Sequence, residues 1–202
     1  MNAAAEKPYS AACERNREPI LAVLREHFAD RTRVLEIGSG TGQHAVYFAG
    51  ALTQMVWQTA DLPQNHPGIL AWLDEAALPN VLPPLVLDAN LPRWDFGHFD
   101  AVFSANTLHI MNWEDVQRTF AHLPEVMTAD AKLAIYGPFN YGGQFTSESN
   151  AAFELTLKSW GPHMGIRDFE AVNALAQGIG LELLEDRAMP ANNRCLVWRR
   201  LA

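Results

Sequence analysis

Glycines and acidic residues in the first third of the chain are spaced to hold a nucleotide-like ligand. Glu36 is followed by Gly38, Gly40 and Gly42 at alternate positions, directly after a short apolar run. Glycines let a backbone approach a ligand closely, and a helix that begins after such a turn offers unpaired N–H groups at its positive end. Asp61 ends the next apolar run, where a carboxylate can accept hydrogen bonds from ribose hydroxyls. The same Asp could instead serve a turn or cap a helix.

The spacing of the glycines separates the candidate ligands. A dinucleotide-binding turn, G-x-G-x-x-G, needs glycine at the position of Gln43, and a Walker-type phosphate loop needs a following Gly-Lys-Ser/Thr that is absent. The G-x-G-x-G run instead resembles motif I of class I S-adenosylmethionine (SAM)-dependent methyltransferases. That resemblance implies a loop whose backbone passes under the methionine and ribose of SAM. An NAD(P)-dependent oxidoreductase stays as an alternative, against which Gln43 counts.

Apolar runs alternate with helical patterns along the chain, which predicts a parallel α/β sheet. Ligands of such open sheets bind at the carboxyl ends of the strands, where these residues are expected to meet. Five parallel strands and a terminal antiparallel hairpin resemble the seven-stranded class I methyltransferase sheet, whose last strand is reversed. We therefore expect one Rossmann-like α/β domain over residues 1–202, with helices on both faces of the sheet. The predicted strands are 33–37, 55–60, 85–87, 100–104, 132–137, 181–188 and 195–198, and the predicted helices 10–28, 42–48, 67–73, 113–127, 149–160 and 167–177.

The same resemblance implies contacts to adenine and to the methyl acceptor after the third and fourth strands. Asp88 would accept from the adenine amino group and the N–H of Ala89 would serve the ring, although Leu-Asp-Ala-Asn alone is an ordinary turn. Ser104 and Asn106 follow strand four, and the Asn-Pro-Pro-Tyr type of motif typical of DNA and protein amide methyltransferases is absent there. The predicted cofactor-binding residues are Glu36, Gly38, Ser39, Gly40, Gly42, His44, Asp61, Asp88, Ala89, Ser104 and Asn106.

Two histidines border the expected cofactor site. His109 is a candidate general base because the ordinary pKa of histidine lies near neutrality, but it could instead only brace its loop. His44 lies in the first turn of a predicted helix, whose dipole disfavours a charged imidazole, so we expect it to be neutral. It would either contact the methionine moiety or pack.

The methyl acceptor is expected to contact two later segments. Residues 138–165 are rich in glycine, asparagine and aromatic residues, and we interpret them as an insertion that caps the substrate. The 190–193 turn should emerge on the same side, because strand six is expected to run parallel to strand five. Tyr141, Asn192 and Asn193 are the candidate substrate-binding residues, although adjacent asparagines in a hairpin normally serve turn geometry.

Several short segments together resemble one family of compact, uncharacterised class I methyltransferase-like proteins, carried as a domain of unknown function. They include the Gly-Thr-Gly-Gln-His loop at 40–44, Asn-x-Leu-His at 106–109 and Pro-Ala-Asn-Asn at 190–193. The resemblance implies binding of SAM and release of S-adenosylhomocysteine, but it implies no particular reaction. Because many similar proteins carry alanine in place of Gly38, we expect this glycine to matter less than the next two of the loop.

Composition limits the function classes further. The 202 residues are 49% hydrophobic and 19% charged, with a formal net charge of −8, which indicates a folded core and argues against an extended nucleic-acid-binding surface.

Cys13 and Cys195 form no C-x-x-C motif, residues 1–6 have no leader pattern, and no apolar run reaches the roughly 18 residues of a membrane span. We therefore expect a cytoplasmic protein without membrane partners. No metal-ligand spacing is present, so no metal is expected.

Taken together, the residues predict a SAM-dependent methyltransferase that acts on a small-molecule acceptor. Such a displacement depends mainly on positioning, and a hydroxyl or carbon acceptor would also need a base, for which His109 is the candidate. The alternative is a catalytically silent SAM-binding regulator or partner subunit. The acceptor, the methylated atom and the oligomeric state stay open at this point.

Overall fold

A seven-stranded sheet forms the centre of the protein in residues 7–201, the part of the chain that the computed structural model describes. The missing leader pattern at 1–6 and the outer limits of the expected domain at 1 and 202 lie outside the described residues. The strands are β1 Arg33–Ile37, β2 Val56–Asp61, β3 Val81–Val86, β4 Phe99–Ala105, β5 Met127–Gly137, β8 Leu181–Met189 and β9 Asn193–Arg200, with a separate short pair, β6 Phe139–Asn140 and β7 Arg167–Asp168.

The order of the strands is β3-β2-β1-β4-β5-β9-β8, and every pairing from β3 to β5 is parallel. β9 lies between β5 and β8 and pairs antiparallel with both, so β8 runs in the same direction as β5. This confirms the predicted α/β sheet with its last strand reversed. It also follows that the β8–β9 turn emerges at the same edge of the sheet as the carboxyl end of β5.

Five of the six α-helices in residues 7–201 pack on the two faces of the sheet, the sixth, α5, lies at the cavity described below, and successive strand residues point to opposite sides. Val34 packs in a core with residues of α1, α2 and α3, whereas its neighbour Leu35 packs with residues of α4 and α6. The prediction of helices on both faces is therefore confirmed. The helices are α1 Ala11–His27, α2 Gln43–Ala51, α3 His66–Ala76, α4 Trp113–Val126, α5 Glu148–Trp160 and α6 Phe169–Gly178.

Side-chain caps fix where three of these helices begin. In each case a Ser or Asn just before the helix accepts a hydrogen bond from a backbone N–H of the first turn, which satisfies one of the groups that a helix start leaves unpaired. The bonds run from the Cys13 N–H to Ser10 Oγ before α1 (3.4 Å), from the Asp115 N–H to Asn112 Oδ1 before α4 (2.8 Å), and from the Asn150 N–H to Ser147 Oγ before α5 (3.1 Å).

Most strand ends lie within two residues of the sequence-based prediction, but the starts of β3 and β5 differ by four and five residues. β3 covers Val81–Val86 instead of 85–87. The start of the strand was missed because it contains Pro83 and Pro84, and proline is unusual within strands. Proline is tolerated there since β3 is an edge strand that pairs only with β2. β5 begins at Met127, directly after α4, and is therefore longer than the predicted 132–137. Within residues 7–201, no helix combines the length and the apolar character that crossing a membrane requires.

Candidate functional site

A cavity of about 1170 Å³ opens at the carboxyl ends of the parallel strands. This volume exceeds the roughly 300–1,000 Å³ usual for a small-molecule site, so the cavity has room for a cofactor and a second molecule. Glu36, Gly42, Ser104, Tyr141 and Asn192 lie outside the lining. The predicted site residues that do line it are Gly38, Ser39, Gly40, His44, Asp61, Asp88, Ala89, Asn106, His109 and Asn193.

The glycine loop depends on its glycines for different reasons. Gly38, Gly40 and Gly42 have φ of +73°, +58° and +90°, a region that side chains rarely adopt. A Cβ on Gly38 would lie 2.6 Å from Thr107 Oγ1, and one on Gly42 would lie 3.1 Å from the Cα of Ile69. At Gly40 the nearest other atom would be 4.0 Å away. Gly38 is therefore more closely packed than Gly40, because Thr107 fills the space beside it. The expectation that Gly38 matters less than Gly40 and Gly42 stays a prediction.

Glu36 supports the loop from below. Its carboxylate is buried and accepts a hydrogen bond from Trp57 Nε1 at 3.1 Å. Burial raises the pKa of Glu36 to about 7, and the negative charge of Asp61 acts in the same direction. Since Glu36 does not reach the cavity, its contribution to ligand binding would be indirect, through the shape of the loop.

Asp61 lies at the end of β2 and organises the loop above it. Its Oδ2 accepts from the Gly40 N–H at 2.6 Å, and its Oδ1 accepts from the Leu62 N–H at 2.7 Å and from Asn65 Nδ2 at 2.8 Å. A carboxylate offers about four lone-pair sites, so one remains free. Both hydroxyls of a ribose could bind only if the Asn65 side chain, which also lines the cavity, moved away.

A polar network surrounds the part of the cavity beyond β3. Asp88 Oδ1 accepts from the side chain of Asn90 at 3.0 Å, which leaves its Oδ2 available to a ligand. The same amide of Asn90 donates to Asp115 at 3.3 Å, so the two carboxylates are close neighbours. Thr119, one helical turn after Asp115, lines the cavity, and its buried hydroxyl has no partner among the described residues. Leaving a buried hydroxyl unpaired costs about 1–3 kcal/mol, which a ligand could offset.

His109 and Asn106 converge at the end of β5. A Cβ placed on Gly137 would lie 3.7 Å from His109 Nδ1 and 4.0 Å from Asn106 Oδ1. Burial, with the positive charge of Arg167 as a smaller cause, lowers the pKa of His109 to about 4. The imidazole is therefore neutral at pH 7 and can accept a hydrogen bond. Its ring has no hydrogen-bonded carboxylate within residues 7–201, so nothing strengthens it as a base.

α1 covers the cavity beside the glycine loop. His44 Nε2 lies 2.7 Å from Asn16 Oδ1, and burial lowers the pKa of His44 to about 4, with Arg17 as a smaller cause. The expectation of a neutral imidazole agrees with this direction, but burial is the larger cause. Arg15 and Cys13 of α1 also line the cavity. No sequence motif given above predicts a site role for Arg15 or Cys13.

The 138–165 segment reaches the cavity mainly through α5, which the β8–β9 turn holds in place. Asn150 Nδ2 donates to the Asn192 carbonyl at 3.1 Å, and Asn192 Nδ2 donates to Ser149 Oγ at 3.0 Å. Asn192 thus ties the turn to α5 from outside the cavity, whereas Asn193 lines it. Tyr141 also lies outside, with its hydroxyl donating to Asp186 at 2.7 Å.

One cluster of residues with metal-ligand character lies away from this cavity. Glu26, His27 and Glu185 each place a ligand atom within 4.8 Å of the others. Arg187 already pairs with both carboxylates at 2.7 Å, and His27 Nε2 lies 2.6 Å from Glu185. The arginine therefore occupies the place that a cation would take.

Comparisons with known proteins agree with this architecture. A family model described as "Protein of unknown function (DUF938)" matches residues 7–200. The fold is similar to an O-methyltransferase family protein from Burkholderia thailandensis (TM-score 0.79, 19% identity, 92% of this chain and 56% of that chain). It is also similar to the mitomycin 7-O-methyltransferase MmcR (0.79, 18%, 94% and 54%) and to the S-adenosylmethionine-dependent methyltransferase SibL (0.77, 18%, 95% and 56%). The chain thus spans little more than half the length of these proteins, and at such identities the likeness shows the fold.

Proposed function

This chain belongs to the family described as "Protein of unknown function (DUF938)", and we propose that it is a SAM-dependent methyltransferase acting on a small-molecule acceptor. The main support for the proposal is one continuous cavity with two chemically different parts. One part holds the glycine loop, Asp61 and Asp88. The other is bounded by His109 and by the lining residues from Pro138 to Asn193, which we call the acceptor wall.

The first part of the cavity has a candidate binding residue for each polar group of SAM. Asp61 would accept from the ribose, with Asn65 released to free a second lone pair, and Asp88 Oδ2 would accept from the adenine amino group. Ala89, buried beside Asp88, would offer its N–H to the adenine ring. Arg15 is the only Lys or Arg among the described lining residues, so we assign it to the methionine carboxylate.

When bound, SAM supplies an electrophilic methyl group on a sulfonium centre. The protein's task is then mainly to hold the acceptor atom in line with that group and to exclude water. Asn106 and His109, which converge over Gly137, are the side chains we expect to orient the acceptor atom. Because it is neutral at pH 7, His109 would accept a hydrogen bond from an acceptor hydroxyl and so orient its oxygen, but a pKa of about 4 makes it a weak base.

A catalytically silent SAM-binding protein is the second candidate. It is favoured by the weak basicity of His109 and by the missing carboxylate partner within the described chain. A nicotinamide enzyme is disfavoured because Gln43 stands where a dinucleotide-binding turn needs glycine. Its side chain instead bonds to the start of α1, where it accepts from the N–H of the capping residue Ser10 at 2.5 Å and donates to Glu14 at 3.2 Å. We also propose a cytoplasmic location, with Cys13 and Cys195 both unpaired as its support.

Calorimetric titration with S-adenosylhomocysteine, SAM and NAD tests the cofactor class. We expect micromolar binding of the two adenosyl amino acids and none of NAD. Binding of NAD without binding of SAM would overturn the proposal. Formation of S-adenosylhomocysteine from SAM in the presence of an acceptor would then separate the enzyme from the silent binding protein.

A further inference from the structure

The acceptor wall carries no formal charge. Its residues come from the 138–165 segment, α5 and the β8–β9 turn, and within residues 7–201 none of them is Asp, Glu, Lys or Arg. The three carboxylates of the lining, Asp61, Asp88 and Asp115, belong to β2, the β3 end and α4, and its one arginine, Arg15, belongs to α1. A charged group buried against the inner part of this wall, at Pro138 and Asn150, would find no counter-charge on the wall itself, which is costly. Arg167, whose positive charge acts on His109, lies outside the lining.

Asn150 offers an unpaired oxygen on this wall. The residue is only 4% exposed and lines the cavity. Its Nδ2 donates to Thr146 Oγ1 at 2.9 Å and to the Asn192 carbonyl at 3.1 Å, which uses both amide hydrogens. Because a carbonyl can only accept, the contact with Asn192 decides which end of the amide is nitrogen. Oδ1 has no hydrogen-bond partner elsewhere in the described chain, so it is left to accept from a ligand.

Aromatic rings give the same region flat apolar surfaces. The rings of His109 and Phe153 meet edge to face with their centroids 5.4 Å apart, and Trp160 packs edge to face on Phe153 at 6.3 Å. All three residues line the cavity. Aromatic side chains in such arrangements stack well against planar ligands. Two hydrogen-bond acceptors lie beside these rings, namely the unprotonated nitrogen of the neutral His109 imidazole and Asn150 Oδ1.

We propose that the methyl acceptor is an uncharged, planar aromatic molecule with two hydrogen-bond donors. One is the hydroxyl that is methylated beside His109, and the other is a hydroxyl or N–H that donates to Asn150 Oδ1. This inference rests on the proposed function. In the reaction the hydroxyl oxygen forms a bond to the methyl carbon, the carbon–sulfur bond breaks with its electron pair staying on sulfur, and the hydroxyl proton leaves through His109 to solvent.

A matched series of naphthols tests this class of acceptor. The probes are 2,7-dihydroxynaphthalene, 2-naphthol with one donor, the anionic 7-hydroxy-2-naphthoate and the cationic 7-aminomethyl-2-naphthol. Each is assayed for S-adenosylhomocysteine formation and, independently of turnover, for calorimetric binding to the protein saturated with S-adenosylhomocysteine. We expect the diol to be favoured over 2-naphthol by about 2- to 12-fold, as for one neutral hydrogen bond. Both charged naphthols should be at least about 100-fold weaker than the diol, because their charge is buried unpaired.

Asn150→Ala should abolish the preference for the diol over 2-naphthol while leaving affinity for S-adenosylhomocysteine unchanged. Thr146→Ala is the control, because this exposed residue outside the lining anchors the Asn150 amide without supplying its oxygen. The control should keep the preference. The comparison of charged and neutral probes needs only the wild-type protein, so it stands even if Asn150→Ala folds poorly.

Three results would overturn the inference while leaving the proposed function intact. The charged naphthols could bind as well as the neutral ones, Asn150→Ala could keep the diol preference, or no neutral probe could bind to a protein that does bind S-adenosylhomocysteine. A protein that binds neither SAM nor S-adenosylhomocysteine would instead contradict the proposed function itself.

Discussion

Replacing Asp61 with alanine removes the group that links the glycine loop to the proposed ribose site. The carboxylate accepts from the Gly40 N–H at 2.6 Å, from the Leu62 N–H and from Asn65. In the cofactor complex we expect at least one of its oxygens to accept from a ribose hydroxyl. A hydrogen bond to a charged group contributes about 1.5–3 kcal/mol, so Asp61→Ala should weaken binding of S-adenosylhomocysteine by roughly 10- to 150-fold.

Titration calorimetry measures this loss, and two further variants separate its causes. Asp61→Asn keeps a carbonyl oxygen that can hold the Gly40 N–H but lacks a second acceptor, so its affinity should lie between those of wild type and Asp61→Ala. Asp95→Ala is the control, since the side chain of Asp95 is 80% exposed and pairs with Arg93. Asp95→Ala should bind as wild type does. If a folded Asp61→Ala also bound S-adenosylhomocysteine with unchanged affinity, the ribose would not lie at the end of β2.

Three other predictions follow from single contacts. Gly38→Ala should lower the free energy of unfolding by about 2–5 kcal/mol, because positive φ costs about 1–2 kcal/mol and the clash with Thr107 adds about 1–3 kcal/mol. Gly40→Ala should lower it by only about 1–2 kcal/mol, because no neighbour is close enough to clash. Urea unfolding decides, and an equal or greater cost at Gly40 would contradict the packing argument. Thr119→Val should weaken binding of S-adenosylhomocysteine about 2- to 12-fold without destabilising the unliganded protein, whereas Thr119→Ser should bind normally. A structural role would show the reverse pattern, with lower stability and unchanged affinity. Because burial lowers the pKa of His109 to about 4, the unfolded chain binds more protons between pH 4 and 6.5, so the free energy of unfolding should rise with pH across that window. His109→Gln should make this rise smaller in urea unfolding at pH 4.5 and 7, and an unchanged rise would mean that His109 titrates normally in the folded protein.

The sequence was sufficient for the sheet and for the residues that follow its strands, because both depend on local patterns. The glycine run, Asp61 and Asp88 follow apolar strands, and parallel strands necessarily bring their carboxyl ends to one edge. The structure accordingly brings most of these residues to one cavity. β3 was harder to predict, since Pro83 and Pro84 are tolerated only because that strand is at the edge.

Residues whose roles depend on tertiary contacts could not be found from the sequence. Thr119 is unremarkable on a helix until its hydroxyl is seen to be buried without a partner in the described structure. Asn192 was expected to reach the pocket, but it bonds to α5, and Asn150 of that helix lines the cavity instead. The close packing of Gly38 depends on Thr107, which is distant in sequence and lies beside it.

A crystal structure of the protein with S-adenosylhomocysteine bound would test the central claim most directly. The account predicts the ribose at Asp61, the adenine amino group within hydrogen-bond distance of Asp88 Oδ2, and the sulfur directed toward Asn106 and His109. The space beside that sulfur should be bounded by Phe153 and Asn150. S-adenosylhomocysteine bound with its sulfur turned away from the acceptor wall, or bound outside this cavity, would contradict it.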